Sequence, residues 1–381
     1  MVRFRNQIGW YLWRLASRIA VGYVRYLTVI HSWKGPALNA IQLLRRLRNV
    51  KLPIWLFAVA MLLASCGSIT PTAATMPPAQ LSIQLDWTPN IDAAGFYVAQ
   101  AKNYYADQGL TVKLLAGGYD AQGNYIDMIK TVLDGHADFG ESSGIDLIQA
   151  RAQGAPLVAI ATIYQRHPLS FSSLAEKKIA RPQDLIGKTV QIAPNDRLLF
   201  QALLTAQGID PAQIKLVERT DFTSAPLIKG DADVIDAWVT NENVLLKLQG
   251  RAINTILPVD YGIEAYPNVI FTTEKMIAEH PDVVERFLRA TLQGIQGAMD
   301  DPKSAAQLTK QYDATLDLPE QTEAMFQAVP FLNPAGSRPG MMTDKTWETT
   351  QHMMRDQGIL KQSIDPKTAY TLAFLDKVYP K

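Results

Sequence analysis

The sequence predicts an α/β protein of two lobes, and three observations carry that expectation. Strand and helix patterns alternate β-α-β-α-β from Leu81 to Gln153. The same alternation restarts after Pro156. Beyond Tyr266 the chain turns helical, as a set of covering helices would. With the N-terminal segment discussed below set aside, roughly 300 residues remain, enough for two lobes that each bury a core.

In the first lobe, Leu81–Leu85 alternates with period two and reads as a strand, followed by a helix over Gly95–Tyr105. Leu110–Leu115 is the next strand and Asn124–Asp134 the next helix, then a short strand Ala137–Gly140 and a helix Gly144–Gln153. The order predicts a mostly parallel sheet with helices on both faces. In the second, Leu157–Ile163 is a strong strand, and Arg181–Gly187 leads into the strand Lys188–Ile192. Asn195–Gly208 is helical and stopped by its glycine. Strands Ile214–Val217 and Ala232–Ala237 flank a helix that ends before Gly230. Pro281–Met299 sets Val284, Phe287, Leu288, Leu292, Ile295 and Met299 on one face, and Thr343–Gln357 and Thr368–Val378 continue the helical trend. These helices are expected to pack back on the first lobe, giving lobe 1 as residues 81–170 plus 267–381 and lobe 2 as 171–266. No repeat at solenoid spacing is present.

The N-terminal region reads as an address. The basic cluster Arg45-Arg46-Leu47-Arg48-Asn49-Val50-Lys51 precedes the apolar run Leu52–Ser65, giving the charged start, short apolar core and small residues of a secretory signal. At about fourteen residues the run is too short to span a bilayer comfortably. Leu63-Ala64-Ser65-Cys66 resembles a bacterial lipobox, which implies that Cys66 takes a diacylglycerol and becomes a membrane anchor on the extracytoplasmic side. The alternative is a buried cysteine in a core or transmembrane helix. Residues 1–65 are accordingly expected to be a signal peptide, or an upstream leader plus signal whose Trp10, Trp13, Arg14 and Arg18 belong either to a basic amphipathic helix or to translated upstream sequence. Residues 66–80 form an uncharged Ser/Thr/Ala/Pro tether.

Without residues 1–65, which hold ten Lys or Arg and no Asp or Glu, the remainder has 27 basic against 36 acidic residues, a formal charge of −9. That argues against a nucleic-acid partner, which needs a basic face. Acylation of Cys66, the single cysteine, leaves no thiol for a disulfide, a thiolate metal site or a nucleophile. The five histidines are scattered without metal-ligand spacing, so neither a metal nor a cofactor is expected.

Three blocks carry a family resemblance. Leu85-Asp86-Trp87-Thr88-Pro89-Asn90 with Gly95-Phe96-Tyr97-Val98-Ala99 and Tyr104–Leu110 forms the first. Gly135–Gly140 with Ala150-Arg151-Ala152-Gln153-Gly154 is the second, and Asp233–Glu242 with Asp260-Tyr261-Gly262 and Phe271–Lys275 the third. Together they resemble the thiamine-pyrimidine-synthase-like branch of periplasmic binding proteins over residues 81–300. The resemblance implies a type II periplasmic-binding-protein fold and a solute-binding lipoprotein of an ABC importer, with a small ligand in the cleft between lobes and a permease as partner. The enzyme members have a reactive histidine and a cysteine-rich segment that this chain lacks, which argues against catalysis. A histidine common in pyrimidine-handling members is replaced here by Ala93. That replacement, and the existence of a riboflavin-binding lipoprotein branch, favour riboflavin over a thiamine pyrimidine precursor of formylaminopyrimidine type. A sensory binding module remains open.

Ligand candidates cluster at predicted strand ends, where open α/β sheets bind. Trp87 and Trp238 are two of the three tryptophans beyond residue 65 and are suited to stack on a flat ring, although either can belong to the core. Asn90 is a ligand contact or a helix cap. Tyr97 lies within the first block. Glu141 and Ser142, with Ser143, follow the strand Ala137–Gly140 and read as cleft residues or caps. Tyr119 and Asp120 follow Gly117-Gly118 at another strand end. Tyr164, Arg166 and His167 lie at the expected first crossover between lobes. Asn241 and Glu242 open a helix beside Trp238, where capping alone would explain both.

Overall fold

The computed structural model describes residues 78–380; Cys66, the signal region and the tether up to residue 77 lie outside them. Ten strands follow in chain order: β1 (Ala79–Gln84), β2 (Leu110–Leu115), β3 (Phe139–Ser142), β4 (Leu157–Thr162), β5 (Leu169–Leu174), β6 (Thr189–Ile192), β7 (Lys215–Glu218), β8 (Val234–Trp238), β9 (Ile253–Ile256) and β10 (Val269–Thr273). They form two five-stranded sheets of order β2-β1-β3-β10-β4 and β7-β6-β8-β5-β9. The first begins at Ala79, so the last two residues of the expected tether belong to β1.

The expected mostly parallel sheets are mixed. In the first, β1 pairs parallel with β2 and β3, whereas β10 is antiparallel to β3 and β4. In the second, β6 pairs parallel with β7 and β8, and β5 is antiparallel to β8 and β9. The cause is the exchange between lobes. β5 enters the second sheet straight from the first lobe and β10 returns the same way, and neither is preceded by the covering helix that a parallel neighbour needs. The sequence pattern missed both, together with β9. Strand β5 reads Leu-Ser-Phe-Ser-Ser-Leu, yet all six residues are buried. Its Ser170 hydroxyl is satisfied internally, 2.9 Å from Ser172 Oγ and 2.9 Å from the Ala237 carbonyl, so polarity here does not mean exposure.

Several helix boundaries shift for local reasons. The expected helix Gly95–Tyr105 breaks at Asn103, which takes φ 62°, into Ala94–Ala101 and Tyr104–Asp107. The expected helix from Asn124 begins only at Met128, where the Asp127 side chain accepts the Lys130 amide as N-cap. The last helix begins at Ala373, because the segment before it bonds to the edge of β4: Ala159 N–H donates to Ala369 and Thr371 N–H to the Ala159 carbonyl. That covers an edge strand that would otherwise be open. Among the described residues no helix is long and apolar enough to cross a membrane.

The long helix Pro281–Asp300 buries all six residues of its expected face, and its Phe287 ring stacks on Phe139 at 4.0 Å. It crosses helix Ala94–Ala101 through two glycines. A Cβ on Gly294 would stand 2.1 Å from the Gly95 carbonyl oxygen, and one on Gly95 would stand 2.4 Å from Ile295 Cγ1. The first lobe's core runs through Ile83, Phe139, Ile160 and Phe271 beneath these helices, and the second lobe has a smaller cluster of its own around Leu227, Ile235 and Leu246.

Gly294→Ala tests this crossing. Alanine gains about 1 kcal/mol of helix propensity, but overpacking against backbone costs about 3 kcal/mol. A net loss of roughly 2 kcal/mol is expected from the denaturant midpoint at constant m.

Candidate functional site

The candidate site is assembled at the carboxyl ends of β1, β2, β3 and β4. Gly117 and Gly118 let the chain after β2 press against the chain after β1: a Cβ on Gly117 would stand 2.3 Å from the Leu85 carbonyl oxygen, and Gly118 adopts φ +85°. The loop that follows folds on itself through a Tyr119–Tyr125 bridge, with Asp120 accepting the amides of Gln122 and Asn124. Trp87, Tyr119 and Tyr125 thereby form one aromatic group with centroids 5.7 to 6.2 Å apart. These rings stay 44%, 57% and 50% exposed. Three large rings thus stay clustered in solvent at strand ends, a surface on which a flat partner can pack.

The same strand ends carry three carboxyls, Asp86, Asp92 and Glu141, that no ion pair reaches among the described residues. Asn268 Nδ2 donates to both Asp86 Oδ2 (2.6 Å) and Glu141 Oε1 (2.9 Å), drawing the two acids onto one amide. The Tyr164 hydroxyl donates to Asp92 Oδ1 at 2.5 Å. Burial, and then the negative charge of Asp92, push the Asp86 carboxyl up to about 7. Burial also raises Asp92, against the lowering effect of Tyr164. Glu141 is held well above the usual carboxylate range by burial and by the charges of Asp86 and Asp92. The Tyr97 hydroxyl is raised by burial and by Glu141, while its ring stacks on Tyr312 at 3.9 Å.

The second lobe presents Trp238 at the end of β8. Its half-buried ring lies edge-on to Tyr164 at 6.1 Å and to His167 at 5.8 Å. Glu242 accepts the Trp238 amide at 2.9 Å with one oxygen and Arg219 at 3.0 Å with the other. Arg219 also pairs with Asp236 at 2.9 Å, so a buried ion-pair network fixes the platform from below. Asp196 faces Asp236, and burial together with that neighbour's charge raises its carboxyl well above the ordinary range.

The structure thus brings together Trp87, Tyr119, Glu141, Tyr97 and Tyr164 on the first lobe and Trp238 on the second. Asn90 caps the turn Ile91–Ala93 and accepts the Asp92 amide. Ser143 caps Gly144–Ala152, and the buried Ser142 lies 3.5 Å from Asp146. Glu242 is committed to Trp238 and Arg219, whereas Asn241 is exposed and makes no side-chain cap bond. His167 is buried, accepts the Leu169 amide on Nδ1 and is pushed by burial down to about 3. Arg166 pairs with Asp260 at the surface. Sequence reasoning missed Asp86 and Asp92, which sat in or beside a motif read for its tryptophan, and Asn268, which precedes the unread β10. A separate depression of about 600 Å³ lies against β1 from Gln80 to Ser82 and β2 from Thr111 to Leu114, beside Asp138 and Tyr312.

The raised carboxyls imply an unusual pH dependence. A group with a raised folded pKa binds its proton more tightly when folded, so its stabilising effect fades as pH rises through that value. The unliganded protein is therefore expected to lose about 1 kcal/mol between pH 6.5 and 8. Below 6.5, the buried neutral His167 acts in the opposite sense, since the unfolded chain takes up its proton first. Asp86→Asn should flatten the upper limb, measured as denaturant midpoints across that window.

The family model described as NMT1/THI5 like matches residues 90–305. Among curated proteins, the chain is 31% identical to the riboflavin-binding protein RibY of Chloroflexus aurantiacus, covering 83% of this chain and 95% of that protein. It is 29% identical to the formylaminopyrimidine-binding protein of Halalkalibacterium halodurans, covering 84% and 97%. Among solved structures, the periplasmic aliphatic sulphonate binding protein SsuA from Escherichia coli superposes with a TM-score of 0.62 at 14% identity, covering 76% of this chain and 91% of that one. Two mixed sheets, helices on both faces and this structural likeness make the fold that of a periplasmic binding protein. With the family model covering more than half of the sequence, the chain belongs to the NMT1/THI5-like family.

Proposed function

We propose that this chain is an extracytoplasmic solute-binding lipoprotein of an ABC importer, anchored through Cys66, which captures a planar heteroaromatic vitamin and hands it to a membrane permease without catalysis. The observation that carries this reading is the solvent-facing group of Trp87, Tyr119 and Tyr125 above a buried polar floor. Flat rings gain both apolar burial and offset stacking on such a surface, and a polar floor can orient their heteroatoms. Riboflavin is the favoured ligand, supported by the 31% identity to a riboflavin-binding protein and by the reach of three rings, which suits a tricyclic system. A formylaminopyrimidine is the second reading. The carboxyls of Asp86, Asp92 and Glu141 favour it, since they suit ring amino donors, as does the second curated relative.

Titrating riboflavin with the purified protein should quench flavin fluorescence at micromolar concentrations. Trp87→Ala should weaken binding roughly tenfold, a stacking loss of about 1.4 kcal/mol. Unchanged fluorescence would sink the flavin reading, and tight binding of the pyrimidine in its place would promote the second.

The anchor has its own test. Cys66→Ala should shift the protein from the membrane fraction to the soluble fraction of the expressing cell without changing ligand affinity.

A further inference from the structure

Asp86 and Glu141 are joined by more than proximity. One amide nitrogen, Asn268 Nδ2, reaches both, and Glu141 is only 1% exposed. Its second oxygen, Oε2, is buried with no hydrogen-bond donor, and so is Asn268 Oδ1. An ionised carboxylate oxygen left bare in the interior is costly, whereas a protonated one is an unused donor. The surroundings offer no counter-charge: Asp92 on the turn after Asn90, Tyr97 on helix Ala94–Ala101, Tyr125 on the loop after β2, Asp146 on helix Gly144–Ala152 and Tyr164 after β4 are acidic or neutral. Among the described residues no ion pair reaches Asp86, Asp92 or Glu141, and the Tyr164 hydroxyl is already spent on Asp92. Two acids drawn onto one amide, Glu141 buried and Asp86 half-buried, with no ion-pair partner among the described residues, cannot both ionise cheaply.

We propose that Asp86 and Glu141 share one proton at neutral pH and keep it in the complex, so that a carboxylic-acid donor beside a carboxylate acceptor selects ligands whose ring edge sets an acceptor next to an N–H, as imides, lactams and amidines do. The inference rests on the ligand reading above and specifies which edge of the ligand meets the floor. The acid O–H donates to a ring carbonyl or ring nitrogen, the carboxylate accepts the adjacent N–H, and Asn268 Oδ1 remains as a further acceptor. Such a site rejects a ligand lacking its N–H, because buried acceptors are then left unpaired. Removal of the shared proton replaces the donor with a second negative oxygen facing the ligand's own acceptor, so affinity falls as pH rises.

Infrared difference spectra at pH 7 test the shared proton without any ligand: the carbonyl band of a protonated carboxylic acid is expected in the full chain and should be reduced in Glu141→Gln and in Asp86→Asn. Riboflavin affinity in the wild type should fall as pH is raised from 6.5 to 9 and the shared proton is lost. Glu141→Gln should bind with an affinity that no longer varies over that range, and 3-methylriboflavin, whose imide N–H is blocked, should bind the wild-type chain at least tenfold more weakly than riboflavin. Absence of the acid band, or riboflavin affinity that is constant with pH in the wild type, overturns the proposal. An acid band that is reduced in Glu141→Gln and in Asp86→Asn, with no riboflavin binding at any pH, supports the shared proton and overturns riboflavin as the ligand.

Discussion

The crossing of Gly294 over Gly95 is the contact on which the candidate site depends. A helix pair that meets backbone to backbone has almost no freedom to slide, because any side chain at the crossing would force the axes apart. Helix Ala94–Ala101 starts immediately after the turn that carries Asp92, and that turn is capped by Asn90. Moving the helix would therefore carry Asp92 away from Tyr164 and Tyr97 away from Glu141. The same pairing is reinforced further along, where the Tyr105 hydroxyl meets Thr291 Oγ1 at 3.0 Å and Arg286 donates to the Gln108 carbonyl at 2.8 Å. A covering helix far from any ligand thus sets the position of the loop between β1 and the first helix.

The two lobes solve the same electrostatic problem in different ways. Each collects three acids near the carboxyl ends of its parallel strands: Asp86, Asp92 and Glu141 in one, Asp196, Asp236 and Glu242 in the other. In the second lobe Arg219 pairs with two of the three, bonds the Thr223 carbonyl as well and is itself only 3% exposed. The result is a satisfied, rigid network whose visible product is the fixed amide of Trp238. In the first lobe an asparagine takes the place of the arginine, and an amide brings hydrogen bonds without charge. There protons alone relieve the stress, whereas in the second lobe a counter-ion serves Asp236 and Glu242 and only Asp196 is raised well above the ordinary range.

The regular parts of this fold were legible where burial follows a simple period. Helix Pro281–Asp300 was visible because its six apolar residues share one face, and β2 was recovered residue for residue because Leu110 and Val112 point inward while Thr111 and Lys113 do not. Strands β5 and β10 were hidden for opposite reasons. Ser170, Ser172 and Ser173 made β5 look exposed, and β10 is buried on both faces and so has no alternation to read. The candidate site was legible through its aromatic residues, since Trp87 after a strand is conspicuous, and illegible through its acids. Asp86 and Asp92 look like ordinary loop carboxylates until the fold brings Glu141, some fifty residues later, and Asn268 from beyond the second lobe against them.

The two platforms communicate through Tyr164, which stands where the chain leaves the first lobe. Its hydroxyl is held by Asp92, and its ring lies edge-on to Trp238 across the junction. The crossover segments are tied to each other by Arg166 and Asp260, whose side chains are 34% and 53% exposed, so this ion pair is screened and contributes little resistance to bending. Packing of Tyr164 and the buried His167 against Trp238 would change with a relative movement of the lobes, as would the hydrogen bonds from Gln357 Nε2 to the Leu198 carbonyl at 2.9 Å and from Lys247 Nζ to Gln327 Oε1 at 3.4 Å. A ring resting on Trp87 alone gains the same energy whatever the second lobe does, and has no power to shift the lobes. A ligand that also touches Trp238 makes contacts that depend on the arrangement of the lobes, and can favour one arrangement over another. The orientation of Trp238 is what the buried Arg219–Glu242 network holds in place, because Glu242 accepts both the Trp238 amide and Arg219.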